Sequence, residues 1–254
     1  MTISGMQSKI KKTALTTGSV IFWILFWQIG AYLANKRLII KIPYPIEAVK
    51  SFINCLGEAD FWKIVFVSLF QILVGFVIGA FLGTVLGMLS GKFNAFRIFT
   101  APALHLVRTV PVAALIIVAW LWIPSYALPS FISFLMVLPI VWSHTVTGLN
   151  SVDYKLVEMA KVFGMSEKDI ALKIKLPMIS PSIRNGCLTA VGIAWKSGVA
   201  AQVIASPSGT LGAMLSSAKV SIDYSEVFAV TLAIVLLSYF VENILKLIWK
   251  EQKK

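Results

Sequence analysis

The sequence predicts an all-α integral membrane protein with about six transmembrane helices. Of the 254 residues, 58% are hydrophobic and 13% are charged, and the mean hydropathy is +0.85. Soluble domains carry about 25% charged residues, because charge covers their surface. Most apolar residues also fall into runs of about 20, the length of helix that crosses a bilayer.

The formal net charge is +12, which in a soluble protein would suggest nucleic-acid binding. No basic and aromatic nucleic-acid module is visible, so we expect no nucleic-acid partner. Lysines that flank membrane spans account for the charge better. The two cysteines, Cys55 and Cys187, lie in unrelated contexts without metal-ligand spacing. We therefore expect free thiols and no metal site.

The first apolar run covers residues 14–34 and follows three lysines, Lys9, Lys11 and Lys12. A signal peptide is the alternative, but its apolar core is shorter, about 7–15 residues. The sequence therefore predicts a cytoplasmic N-terminal tail over residues 1–13 and then a first transmembrane span.

The second predicted span covers residues 61–90 and carries a glycine repeat. Five glycines follow one another every four residues: Gly75, Gly79, Gly83, Gly87 and Gly91. At helical spacing they form one bare ridge, which lets another helix approach closely. Transmembrane helices also tolerate glycine in general, but five in register favour a helix-packing face.

Four further spans are predicted over residues 99–122, 128–149, 179–204 and 225–249. Pro111 falls inside the third span and interrupts its backbone hydrogen bonds. Irregular backbone at membrane depth persists only where protein or a watery cavity satisfies it. Pro111 is therefore a candidate for gate-lining backbone, with an ordinary helix kink as the alternative.

Six spans place both termini on one side of the membrane. The segments on that side carry more than twice as many Lys and Arg residues as the opposite loops. Cytoplasmic loops carry the excess of Lys and Arg, so both termini and the polar segment 150–177 are predicted to be cytoplasmic. The bias is uneven, because four basic residues follow the first span: Lys36, Arg37, Lys41 and Lys50.

Residues 150–177, here called the polar loop, are predicted to form two short helices. Asn150 or Ser151 is suited to cap the first helix, and Asp153 in its first turn suits the helix dipole. Gly164 is the expected left-handed stop. A capping box over residues 166–169 opens the second helix.

Pro177 is expected to end the second helix of the polar loop. The first helix carries an apolar stripe, formed by Val152, Leu156, Val157, Ala160 and Phe163. A short amphipathic helix presented by a rigid turn is suited to insertion into a groove on a partner protein. An interfacial helix lying on the membrane surface has the same pattern and is the alternative.

The polar loop resembles the EAA loop of bacterial ABC importer membrane subunits, which docks onto the ATP-hydrolysing subunit. The shared spacing is E-x-A-x-x-x-G, nine residues, then I-x-L-P, matched by Glu158, Ala160, Gly164, Ile174, Leu176 and Pro177. Met159 stands where the family usually has a second alanine. The resemblance implies that Glu158 and Gly164 sit in the groove of the ATP-hydrolysing subunit.

The resemblance extends over roughly residues 60–250. Val107-Arg108-Thr109-Val110-Pro111, Leu138-Pro139-Ile140 and Gly148-Leu149-Asn150-Ser151-Val152-Asp153 are similar to the permease branch that serves nitrate, sulfonates, taurine and related solutes. That branch also includes permeases for pyrimidine vitamin precursors. Its usual Trp-Phe-Gly-Ile-Gly is replaced by Trp122-Ile123-Pro124-Ser125 here, which leaves the substrate open.

The resemblance also implies an architecture and a set of partners. Residues 1–254 would form a single type I ABC importer transmembrane domain in the bacterial inner membrane. The partners would be two ATP-binding subunits, a second permease copy in a homodimer or heterodimer, and an extracytoplasmic substrate-binding protein. ATP and Mg²⁺ would bind to the partner subunits, so this chain itself needs no cofactor.

Two basic residues lie in the middle parts of predicted spans. They are Arg108, which precedes Pro111, and Lys196, which is followed on a nearby face by Gln202. A charge at the bilayer centre costs at least about 2.5–3.5 kcal/mol and normally faces a cavity or a partner. The candidates for the translocation path of an anionic solute are therefore Arg108, Pro111, Lys196 and Gln202. Snorkelling, or a structural pair of Lys196 with Glu242, is the alternative.

Two other classes of protein fit the sequence less well. A secondary transporter should show inverted repeats or carboxylates within spans, and we find no obvious duplication and Glu242 near a span end. An intramembrane enzyme needs clustered catalytic residues, but His105 and His144 lie in different spans, and we expect no catalytic residues. The chain also lacks the G-x-x-x-x-G-K-S/T pattern, so ATP hydrolysis is expected on another subunit.

Overall fold

The structure is a computed structural model that describes the backbone of residues 3–37 and 41–250 and the side chains within residues 15–36 and 41–248. This part of the chain consists of helices joined by turns. The helices are α1 (Ile3–Arg37), α2 (Pro45–Gly57), α3 (Ala59–Lys92), α4 (Asn94–Thr109), α5 (Val112–Trp120), α6 (Leu128–Asn150), α7 (Tyr154–Val162), α8 (Glu167–Asp169), α9 (Leu176–Ala205), α10 (Leu211–Val220) and α11 (Tyr224–Lys250). A π-helical stretch, Ile170–Lys175, joins α8 to α9.

The all-α membrane architecture expected from the sequence is confirmed. Within the described residues, five helices are long and apolar enough to cross a membrane, and the bent pair α4 and α5 makes six if it is one span. α1 begins at Ile3 and continues through the lysine-rich segment, so the described part of the predicted N-terminal tail is helical. Lysine is a good helix former, so the helix extends past its apolar part.

The third predicted span consists of two helices, α4 and α5, and the chain bends by 104° between them. Pro111 caps the start of α5, and Val110 before it is extended, with φ −73° and ψ 133°. Proline disfavours the helical conformation of the residue before it, which ends α4 at Thr109. The sequence correctly indicated a break at Pro111 but not a change of direction of this size.

The chain divides into two compact units. The first comprises Met1–Phe61 and Ser217–Ala233. Within it, Trp27 stacks on Phe228, with the two ring centroids 5.4 Å apart. Cys55 is buried in α2, and burial raises the pKa of its thiol. A thiol of this kind is a structural group, not a reactive one.

The second unit comprises Trp62–Ser216 and Ile234–Lys254 and contains the main core. Helices α6 and α9 supply most of its buried side chains, including Val137 and Val141 on α6 and Ala190 and Ala194 on α9. The indole of Trp195 donates a hydrogen bond of 3.1 Å to the Ile234 carbonyl oxygen, which joins α9 to α11. α6 and α9 therefore form the centre of this unit.

The glycine ridge of α3 lies directly against α6. A β-carbon built on Gly79 would lie 2.9 Å from the carbonyl oxygen of Phe134, and one on Gly83 would lie 2.8 Å from that of Leu138. The other three meet α6 in the same way: Gly75 at Ser130, Gly87 at Thr145 and Gly91 at Leu149. The backbones approach so closely that no side chain fits between them.

The ridge predicts that Gly83→Ala destabilises the protein by about 1–3 kcal/mol, because the added methyl group meets backbone that cannot move aside cheaply. The measurement is the thermal unfolding midpoint in detergent. Gly30→Ala on α1 is the matched control, because a β-carbon built there meets nothing within 4 Å. Equal midpoints for the two variants would contradict the ridge as a tight packing surface.

Candidate functional site

The polar loop connects the two core helices, α6 and α9. Its first helix, α7, is capped by Asp153, whose side chain accepts a hydrogen bond of 2.9 Å from the Lys155 backbone N–H. The prediction that Asn150 or Ser151 caps this helix is wrong. α6 continues to Asn150, and the Ser151 hydroxyl donates to the Gly148 carbonyl oxygen at 2.7 Å.

The turn after α7 is a left-handed helix stop at Gly164, which has φ +76°. Its backbone N–H bonds to the Lys161 carbonyl oxygen at 3.0 Å, and the N–H of Met165 bonds to the Ala160 carbonyl oxygen at 3.1 Å. These two bonds define a Schellman motif, which satisfies the last carbonyl groups of α7. The direction of the chain after α7 is therefore fixed by backbone hydrogen bonds.

The second helix begins at Ser166, whose side chain accepts a hydrogen bond of 3.1 Å from the Asp169 N–H. The expectation that Pro177 ends this helix is wrong, because the helix continues from Glu167 to Ala205. Pro177 lies in the first turn of α9, directly after the π-helical stretch. A π-helical turn is wider than an α-helical one, which accommodates a proline ring and its missing N–H.

Three side chains form the interior of the polar loop. Val157, Ala160 and Ile170 are buried against one another, with Ile170 fully inaccessible to solvent. Val152, Met165 and Ile174 pack around them. Ala160 and Ile174 thus hold the loop together from inside.

The outer surface of the polar loop includes an apolar face. Met159, Val162 and Phe163 are exposed by 52%, 86% and 78%. They are spaced by three and four residues, so they share one face of α7; we call them the exposed apolar face. The expected stripe is therefore split, with Val157 inside and Phe163 outside. Sequence reasoning missed Met159 and Val162 as surface residues, although their spacing carried the signal.

The remaining residues of the EAA-like pattern lie at the loop surface or at its junction with α9. Glu158 and Gly164 are exposed, Leu176 is half-buried, and Pro177 is exposed. An ion pair of 2.9 Å joins Lys161 to Glu167 across the turn. The hydrogen bond from Lys161 to this carboxylate raises the pKa of the Lys161 ammonium group. The pair helps to hold α7 against the second helix, although exposed pairs contribute little stability.

The charged residues of the spans are both exposed. Arg108 lies in the last turn of α4, and Lys196 lies on α9. The alternative pairing of Lys196 with Glu242 is not formed. Glu242 lies 3.7 Å from Lys246 on its own helix. Its Oε1 also lies close to Gly192, at 2.9 Å from a β-carbon built there.

Gln202 does not share the exposed face of Lys196. It is fully buried, and its amide donates a hydrogen bond of 3.0 Å to Gln71 Oε1 on α3. Gln71 in turn donates to the Tyr126 carbonyl oxygen at 3.1 Å. The Oε1 atom of Gln202 has no hydrogen-bond partner in the described part of the chain. Gln202 therefore joins α3 to α9 in this structure.

Neither unit shows a metal centre. Among residues 15–36 and 41–248, no group of three or more His, Cys, Asp or Glu side chains is placed to hold a metal ion. The polar loop and the exposed charges of the spans are thus the features that the fold offers for function.

The described residues thus combine apolar helices of membrane-crossing length with a loop between the two core helices that presents an apolar face. Residues 75–253 match the family described as binding-protein-dependent transport system inner membrane component. The chain belongs to this family of ABC transporter permeases, which confirms the resemblance. It is a transport subunit and not an enzyme.

Known relatives and a solved structure agree with this assignment. The putative aliphatic sulfonates transport permease protein SsuC of Bacillus subtilis (strain 168) is 28% identical over 208 residues, covering 81% of this chain and 74% of that protein. The taurine transport system permease protein TauC of Escherichia coli (strain K12) is 24% identical over 241 residues, covering 91% and 86%.

The solved structure is a bacterial alginate ABC transporter in complex with an alginate pentasaccharide-bound periplasmic protein. A chain of that complex matches with a TM-score of 0.57 and 14% identity, covering 95% of this chain and 94% of that one. At this level of identity the match shows a shared fold.

The Gly164 turn generates a prediction about the order of α7. Gly164→Ala strains the left-handed backbone by about 1–2 kcal/mol, whereas Gly164→Asn is tolerated better. A β-carbon at this position meets nothing within 4 Å, so strain is the whole effect. Hydrogen exchange of the α7 amides should be about fivefold or more faster in the alanine variant than in wild type. Unchanged exchange would show that the turn does not depend on glycine.

Proposed function

We propose that this chain forms the membrane path of an ATP-driven importer for a small anion such as a sulfonate, taurine or nitrate. The observation that carries the proposal is the exposed apolar face of the polar loop, in a chain that belongs to the permease family. A short helix held by a Schellman turn can enter a groove on an ATP-binding subunit as a rigid body.

The energetics of docking follow from burial. The side chains of Val162 and Phe163 each contribute about 1.5–3 kcal/mol when they leave water. Because the loop is already ordered by Val157, Ala160 and Ile170, little conformational entropy opposes binding. Glu158, exposed at the same surface, supplies a carboxylate that pairs with a basic or hydrogen-bonding group of the partner.

The proposed complex contains two copies of this chain, two ATP-binding subunits and an extracytoplasmic substrate-binding protein. ATP and Mg²⁺ bind to the partner subunits, since this chain has no phosphate-binding G-x-x-x-x-G-K-S/T sequence. The distribution of Lys and Arg supports a bacterial inner membrane protein with both termini and the polar loop in the cytoplasm.

The proposed solute class rests on the names of the relatives and on the exposed cations Arg108 and Lys196. Arg108 and Pro111 lie at the bend between α4 and α5, where the backbone is irregular, and we assign them to the path. The identity of the solute is tested on the companion binding protein, by calorimetry with taurine, an alkanesulfonate, nitrate and a pyrimidine. Binding of one of the anions supports the proposal, whereas binding of the pyrimidine alone supports import of a vitamin precursor.

Docking is tested by replacing the apolar face. Val162→Ser combined with Phe163→Ser should lower the amount of ATP-binding subunit that copurifies with this chain more than tenfold, because over 1.4 kcal/mol of burial is lost. Val220→Ser, at a valine that is 80% exposed at the end of α10, is the matched control. Undiminished copurification in the double variant, or an equal loss in the control, would contradict docking through this face.

A further inference from the structure

The exposed residues of α9 form one narrow stripe. From Asn185 onward they are Asn185, Thr189, Ile193 and Lys196. These residues follow one another every three or four positions and therefore lie along one side of the helix. Three of the four are polar, so the open side of this core helix is a polar surface within a membrane-crossing segment.

Three of the other long helices, α1, α3 and α11, expose a different kind of surface. Large apolar side chains are exposed on each of them: Phe22, Trp23 and Phe26 on α1, Phe66, Phe70 and Phe81 on α3, and Tyr239, Phe240 and Leu247 on α11. Such faces suit contact with lipid chains, in which polar groups are costly. The stripe on α9 has the composition of a surface that faces water, and so it is not a lipid-facing surface.

Lys196 carries a positive charge on this stripe, and the Glu242 carboxylate lies beside Gly192, one turn away along α9. Across the side chains that the structure describes, no carboxylate forms an ion pair with it, and Glu242 is engaged by Lys246. A lysine within a span normally faces a cavity or pairs with another group. With no pairing, the ammonium group is available to an anion that enters from water.

The stripe has a closed end just beyond Lys196. One turn further along α9, Ala200 and Ala201 pack against Val112 and Ile116 of α5. α5 starts directly after the bend at Pro111. The position of this bend therefore determines where α5 begins to pack on α9. The polar side chains of the stripe therefore run from Asn185 to Lys196 and stop there.

We propose that Lys196 binds the transported anion at the closed end of this stripe, and that Asn185 and Thr189 line the water-filled approach to it. The ligand is a small oxyanion, such as a sulfonate or nitrate, whose oxygens accept hydrogen bonds from the ammonium group. The assignment rests on the proposed function, because it names the residue that selects the solute class of the importer.

The test compares the reaction of Thr189→Cys with two membrane-impermeant thiosulfonate reagents, one carrying a sulfonate and one a trimethylammonium group. The background carries Cys55→Ala and Cys187→Ala, so that the reporter cysteine is the thiol that reacts. Both native cysteines are free and buried. Residue 189 lies about 10 Å along the helix from Lys196. The quantity measured is the ratio of the reaction rate of the anionic reagent to that of the cationic reagent. At that distance in water, the Lys196 charge should make this ratio about fourfold higher than it is in Lys196→Met.

Full-length protein assembled with its ATP-binding subunit is treated in right-side-out and inverted vesicles, so that reagent reaches both faces. Lys196→Arg should keep the anionic preference, and Lys196→Met should lose it. Asn185→Cys serves as a second reporter position if Thr189→Cys does not assemble.

Two results would overturn the proposal. One is no modification of either reporter cysteine from either side, which would mean that the stripe faces lipid or protein. The other is a ratio of rates that does not change between wild-type Lys196 and Lys196→Met. Copurification of the ATP-binding subunit is measured in the same samples. A failure of the docking proposal is therefore seen separately from a failure of the anion site.

Discussion

The close contact between α6 and α9 is the constraint on which the other features of this molecule depend. Lipid chains are as apolar as leucine, so burial alone does not hold two helices together in a membrane. Here short polar side chains bridge the helices. The Ser182 hydroxyl donates to the His144 carbonyl oxygen at 2.7 Å, and the Ser133 hydroxyl donates to the Ala194 carbonyl oxygen at 3.2 Å. Glycines at the same interface let the backbones approach.

This contact links the two candidate functional regions mechanically. The polar loop is the connection between α6 and α9, and its second helix continues into α9 without a break. A partner that moves the exposed apolar face therefore moves Ile170 and, through the continuous helix, the core helix that carries Lys196. The π-helical stretch lies at the junction between the polar loop and α9, and π-helical turns are frequent at functional sites.

Much of this organisation followed from periodicity in the sequence. Runs of about 20 apolar residues located the spans, the four-residue glycine repeat located the ridge of α3, and a glycine after an amphipathic helix located the turn at Gly164. Features set by tertiary contacts did not follow. Pro177 is accommodated by a π-helical turn that no local sequence pattern predicts. The inward position of Ala160 depends on the second helix of the polar loop, whose Ile170 packs against it.

The most direct test of the central claim is photo-crosslinking from Val162 in living cells, with a photoreactive amino acid incorporated at that position. The account predicts a covalent adduct between this chain and an ATP-binding subunit, because Val162 lies at the centre of the exposed apolar face. The same amino acid at Leu172, exposed on the second helix of the polar loop, measures how far the contact extends. Adducts of Val162 only with lipid, or only with this chain itself, would contradict the account.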